Sequence, residues 1–475
     1  MRRTFARICL KSMVSLLVGA GLATSAVTAN AISLPTSGTT IWTSVDHLEQ
    51  GAVVDIRAGQ TLVLDTREKG EFFLDADFRN KGVVQVIGSG ATEWNSTFHL
   101  TSGGNFLNGG TLELKQATTY LLPYLDNISG IIQIDAQSKL LTFELIGGQV
   151  HGAELSSQIG YSGISDVTLA GRLTVVQTQT AGNLNITGQV HMVGLQSIKT
   201  TTLHGTGQTV LRDVIGAQDT GGPGVGIPPR LTIAAGHRVD AAGQFTDVSL
   251  VNQGQIEVAA QQILKIDSAV LQQGPDASLV VNGILQAPNV QLTGGHIDLA
   301  GRLKGDVLVE GGTLHLREGS IVQGNITVQS GRVKIHSPVD GIVEFDESPF
   351  LGDIELAETA EFEVEITSDR NIVQMAFLEE LTLGGKLIVT FANGAQPLSS
   401  EIVLIFDSIH GFQGAFNSLE VRGAGSAPWS FAHQGEGLVV LTSAVPEPET
   451  WSLMLCGLGM VGWRLRRRVT LQTTH

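Results

Sequence analysis

Three histidines hold equivalent places in a recurring five-residue unit. His151, His191 and His315 each follow a glycine by three residues, and Glu113, Glu257 and Asp298 take the same place in other copies. Imidazoles and carboxylates repeated along one line of a surface could grip a cation or hydrogen-bond a sugar chain. The plainer reading is that outward positions of strands are polar by default, and the pattern favours it. Elsewhere the chain offers little chemistry. It has no phosphate-binding Gly-Lys-Ser/Thr loop, no His-Glu-x-x-His, no Gly-x-Ser-x-Gly and no Ca²⁺-binding nonapeptide repeat. No catalytic residue, metal or cofactor is assigned, and the expectation is a protein that is not an enzyme.

The elements that must position these side chains are legible in the unit itself: Gly, any residue, aliphatic, polar, aliphatic. It runs from Gly82-Val-Val-Gln85-Val86 and Gly110-Thr-Leu-Glu113-Leu114 to Gly312-Thr-Leu-His315-Leu316 and Gly331-Arg-Val-Lys334-Ile335. Period two predicts a short strand with one dry and one wet face, and the glycine is expected to supply the turn that starts it. Several glycine-to-glycine steps, such as Gly110 to Gly130, Gly171 to Gly188 and Gly312 to Gly331, have the length of one rung of a parallel β-helix. An antiparallel sandwich uses the same alternation and remains open. The fold class expected is all-β: a β-solenoid over residues 32–345, interrupted by a Gly/Pro-rich loop at 216–229, and a C-terminal β cap over 346–443.

Composition agrees. Aromatic residues make up 5% and charged residues 16% of the 475, while glycines number 58, which suits short strands and tight turns. The body from 32 to 445 holds 21 of the 29 basic and 43 of the 45 acidic residues, a net charge of −22. Such a surface argues against nucleic acid and anionic lipid as partners. Cys9 and Cys456 both lie in the end segments, so the body has no disulfide and no cysteine nucleophile.

The two ends read as addresses. Arg2, Arg3, Arg7 and Lys11, an apolar stretch from Met13 to Val27, and Ala29-Asn30-Ala31 have the layout of a secretory signal peptide over 1–31, cleaved by signal peptidase at the Ala29/Ala31 site. At the other end come Val445-Pro446-Glu447-Pro448, then an apolar run from Trp451 to Trp463, then Arg464, Arg466, Arg467 and Arg468. Within the run, Leu453, Leu455 and Leu458 supply apolar bulk, and Gly457, Gly459 and Gly462 permit close helix contacts. A short transmembrane helix is expected here, in addition to a signal helix at the N-terminus. The arginines would stop transfer on the cytoplasmic side, with 469–475 as a cytoplasmic tail.

This C-terminal order over 444–468 resembles the PEP-CTERM sorting signal. That signal belongs to exported proteins of Gram-negative bacteria that make exopolysaccharide. The resemblance implies recognition of Pro446, Glu447 and Pro448 by an exosortase, a membrane transpeptidase-like enzyme, and a transient anchor in the inner membrane. The tail beyond the arginines runs slightly longer than in many members. More weakly, the strands after Phe350 resemble the closing strands of autotransporter-type passenger solenoids. Together these imply an exported surface or matrix protein, structural or adhesive, destined for the outer envelope or the exopolysaccharide. An alternative comes from parallel β-helices that act as polysaccharide lyases and hold Ca²⁺ with aspartates. Asp213, Asp219, Asp240 and Asp247 are the one loose grouping of that kind, and a carbohydrate-binding protein without turnover is a third reading.

Overall fold

The computed structural model describes residues 31–43, 52–68, 71–90, 97–100, 105–156, 163–216, 229–336, 352–367, 372–377, 379–392, 401–408, 412–424, 429–433, 438–443, and residues 456, 458 and 460. Among these, 37 strands join into one continuous sheet, and all of its ladders are parallel. The sheet wraps into three faces, because the chain visits three ladders in turn and then repeats. The protein is a parallel β-solenoid, so the sandwich alternative falls away.

The faces follow from the alternation. On the first face Leu62, Val84, Leu112, Ile132, Val150 and Leu169 stack in one buried column. On the second, Val239, Ile256, Leu279, Ile297, Leu314 and Val333 do the same. On the third, Val54, Phe78, Phe106, Leu125, Leu145 and Ile164 line up. Each residue buries its side chain against the rung above and the rung below, so one continuous apolar core runs along the molecule. At about 25 cal/mol per Å² of apolar surface, each buried aliphatic side chain contributes roughly 1.5–3 kcal/mol.

The corners have their own chemistry. Asn80 donates to Asn108 (2.7 Å), and Asn108 donates to Asn127 (2.6 Å), making a buried amide ladder parallel to the long axis. On later rungs of the same corner the Asn325 N–H donates to Asp306, the Asp353 N–H to Asn325, and the Glu380 N–H to Asp353, each at 2.9–3.0 Å. Short polar side chains thus satisfy turn amides that lie outside the ladders. Some repeat glycines start the strand through left-handed backbone, as at Gly171, Gly295, Gly312 and Gly331, and others act by a second route. At Gly188 the backbone is not left-handed, but an added Cβ would stand 2.1 Å from the Gly171 carbonyl oxygen of the preceding rung. Close rung-to-rung approach, rather than φ, excludes a side chain there.

The parallel ladders continue beyond 346. The strand Ile354–Ile366 pairs with Ile326–His336, then with Lys386–Phe391, which pairs with Ser418–Arg422. A separate four-stranded sheet holds Ile372–Phe377, Glu401–Ser408, Leu438–Ser443 and Trp429–His433. Phe406 of that sheet packs 5.9 Å from Phe362 of the solenoid and 5.7 Å from Phe416.

The expected signal helix lies outside the described residues; Ala31 opens the first strand, opposite Val53. The expected transmembrane helix also lies outside them, except that Cys456, Leu458 and Met460 are helical and exposed. No helix among the described residues is long and apolar enough to cross a membrane.

Candidate functional site

The polar position of the unit points outward as expected, but it forms two columns rather than one. Gln85, Glu113, Gln133 and His151 are in register on the first face. Thr174, His191, Val210, Asp240, Glu257, Val280, Asp298, His315, Lys334 and Glu363 are in register on the second. The glycine unit starts first-face strands at Gly82, Gly110, Gly130 and Gly324 and second-face strands at Gly171, Gly188, Gly254, Gly295, Gly312 and Gly331, so sequence spacing alone could not separate the two.

Most acids in these columns already have basic or amide partners. Glu113 accepts from Gln85 at 2.7 Å and meets Lys115 at 2.9 Å. Glu257 pairs with Arg238 at 3.0 Å, and Asp240 with Arg212 at 3.1 Å. Asp298 pairs with Arg317, which lowers its availability to any other cation. His151 Nε2 lies 3.1 Å from the Gln149 amide oxygen. Exposed pairs of this kind contribute about 0–1 kcal/mol each, so they pattern the surface more than they stabilise it.

The aspartate grouping resolves into corner residues. Asp213 and Asp247 adopt left-handed backbone, with φ of 53° and 54°. Asp213 accepts from the Gln244 N–H at 2.9 Å, and the Asp247 N–H donates to Asp267. Asp240 sits on the second face with Arg212, and Asp219 lies outside the described residues. The structure does not bring Asp213, Asp240 and Asp247 to one place.

Two features escaped sequence reasoning. Phe73, His99 and Tyr120 stack outward on the early rungs of the second face, with centroids 4.4 and 4.7 Å apart and planes within 11° of parallel. The rings cover one another's faces and present edges, which is a poor platform for a sugar. The residue types were visible, but their alignment needed the register. At the other end of the same face, Arg332, Lys334, Lys386 and Arg422 interleave with Glu361, Glu363, Glu365 and Glu420. Hydrogen bonds from Arg422 and Lys386 hold the Glu420 carboxyl down at about 2. His315 and His336 border this lattice, with ring centroids 4.8 Å apart. Burial pushes the His315 imidazole below its usual range, against the opposing pull of Asp298.

A shallow groove of about 720 Å³ follows the corner between the first and second faces, lined by Gly171, Arg172, Gln189, Arg238 and Gln255. Stacked glycines make it, for the steric reason given for Gly188. The described surface therefore consists of strand walls and corner grooves.

The remaining recognisable segment is the C-terminal one. Residues 444–468 match the PEP-CTERM protein-sorting motif. The span takes in Val445, Pro446, Glu447 and Pro448, the apolar run and the four arginines. A PEP-CTERM signal implies export and membrane-associated sorting by an exosortase-type system. No curated protein and no solved structure matches the chain.

Proposed function

We propose that the protein is a structural or adhesive component of the outer envelope or extracellular polysaccharide matrix. The observation that carries this is the joining of a PEP-CTERM motif to one unbroken parallel β-solenoid. A solenoid of this kind is stiff along its axis, since every rung is hydrogen-bonded to the next and the core is continuous. Its long walls offer repeated polar side chains rather than a single reaction centre. On this reading signal peptidase removes 1–31, Trp451 to Trp463 holds the chain briefly in the inner membrane, and an exosortase acts near Pro446-Glu447-Pro448. Arg464 to Arg468 fix the cytoplasmic end. The four-stranded sheet, seated on Phe362 through Phe406, seals the last rungs and prevents strand addition at an open edge.

The body's negative charge suits a neutral or cation-bridged polysaccharide. The test is co-sedimentation of the purified body with exopolysaccharide from the producing cells, alongside fractionation of those cells. Binding without change in polymer length, with the protein outside the inner membrane, is the expected result. Shortening of the polymer would replace this reading with a polysaccharide-active enzyme.

A further inference from the structure

On the late rungs of the second face, three ligand-type side chains converge beside the charge lattice. His315 and His336 lie on neighbouring rungs, and Glu365 follows His336 in register. One donor atom from each falls within 4.8 Å of the other two. Two of these groups have buried polar atoms without a hydrogen-bond partner: Nε2 of His315 and Oε2 of Glu365. Lys334 Nζ lies against that Glu365 oxygen but makes no hydrogen bond of normal geometry with it. The other nitrogen of His315, Nδ1, is 3.4 Å from Asp298. A carboxylate at Nδ1 favours the tautomer with its proton there, which leaves the Nε2 lone pair free. An orphaned buried lone pair on His315, a carboxylate oxygen ion-paired with Lys334, and a second imidazole whose Nδ1 lies 3.6 Å from that oxygen therefore share one small space.

We propose that His315, His336 and Glu365 bind one divalent transition metal ion, with Asp298 orienting His315 from behind. Two imidazoles and a carboxylate suit Zn²⁺, whereas Ca²⁺ and Mg²⁺ require oxygen ligands almost throughout. Donors around a tetrahedral Zn²⁺ stand about 2.0–2.2 Å from the metal, so the three must close in from their present spread by side-chain rotation. Lys334 can give way, because Glu363 Oε1 lies 3.9 Å from its Nζ and offers another partner. The site lies on an outward face and has three protein ligands, so at least one coordination position is left for water or an outside donor. This inference is independent of the proposed matrix role.

The test is titration of Zn²⁺ into chelator-treated full-length protein, with circular dichroism on every variant. The expected result is a Zn²⁺ equivalent that His336→Gln and Glu365→Gln each weaken at least about tenfold. Asp298→Asn should weaken it by about 10- to 100-fold, the usual effect of losing an outer partner. Lys334→Gln should leave the affinity unchanged or raise it, since a competing cation is gone. Undiminished Zn²⁺ binding in both ligand variants would overturn the proposal. So would a Lys334→Gln loss as large as that of Glu365→Gln, which would mark an ion-pair lattice rather than a ligand set. Should the variants fail to fold, Co²⁺ added to the unaltered chain decides the matter. Visible absorption of a low-coordinate nitrogen–oxygen site is expected, and its absence would overturn the assignment.

Discussion

At the scale of single residues, the buried polar groups bear most directly on stability. Asn108 donates to Asn127 and accepts from Asn80, so one substitution strands two buried amides. Asn108→Ala is expected to cost about 2–4 kcal/mol, from two unsatisfied groups at about 1–3 kcal/mol each with partial relaxation. Urea unfolding measures it, and a loss below about 0.5 kcal/mol would mean that the ladder does not stabilise the corner. His237 is a second case. It is fully buried, with Nε2 2.9 Å from the Thr209 hydroxyl and Nδ1 3.2 Å from the Gly205 carbonyl oxygen. Burial lowers its pKa below 6.5, so well above that pH both folded and unfolded chains are neutral there. As pH falls below 6.5 the unfolded chain takes up a proton first, and stability is lost down to the lowered folded value. The melting temperature should therefore drop between about pH 7 and pH 5, and His237→Gln should flatten that slope. An equal slope in the variant would assign the effect to other groups. Neither feature was read from the sequence. An asparagine two or three residues before a repeat glycine, as at Asn80, Asn108, Asn127 and Asn252, was the available signal.

At the scale of the rung, the glycine-led unit made the fold legible. Outward Gln85, Glu113 and His315 and their inward neighbours Val84, Leu112 and Leu314 were predicted from alternation alone, and the structure places them so. Which face each rung begins on was not legible, because Gly110 opens a first-face strand and Gly312 a second-face strand with the same local sequence. Alternation reports in and out, but register between distant rungs depends on corner lengths that vary. For that reason the sequence marks His315 as an outward histidine of the unit but does not connect it with His336 and Glu365. The steric role of glycine also went unread, since it exists only between rungs. It gives a clean contrast. Gly188→Ala puts a Cβ 2.1 Å from a carbonyl oxygen, whereas Gly163→Ala meets nothing within 4 Å. Thermal unfolding should show a loss of about 1–3 kcal/mol for the first and under about 1 kcal/mol for the second. Equal effects would refute close stacking as the reason for the glycine.

At the scale of the whole molecule, a solenoid must end without leaving its last rung open. Phe362, Phe406 and Phe416 form the contact between the final rungs and the four-stranded sheet, at 5.7–6.0 Å between centroids. Phe406→Ala should cost about 3–5 kcal/mol locally and raise self-association, seen as larger species in light scattering. A variant that is weakened yet monodisperse would separate the packing from any sealing role. The fold was accessible from the sequence because each rung repeats one rule. Export and sorting were legible only from the C-terminal tag, because the solenoid walls carry no motif that names a ligand. The central claim is accordingly one of destination, and the intact mass of the protein recovered from cells tests it most directly. The account predicts a chain that begins at Ile32, ends near Pro446, and is found outside the inner membrane. A chain that keeps Arg464 to Arg468 and stays in the inner membrane would contradict it.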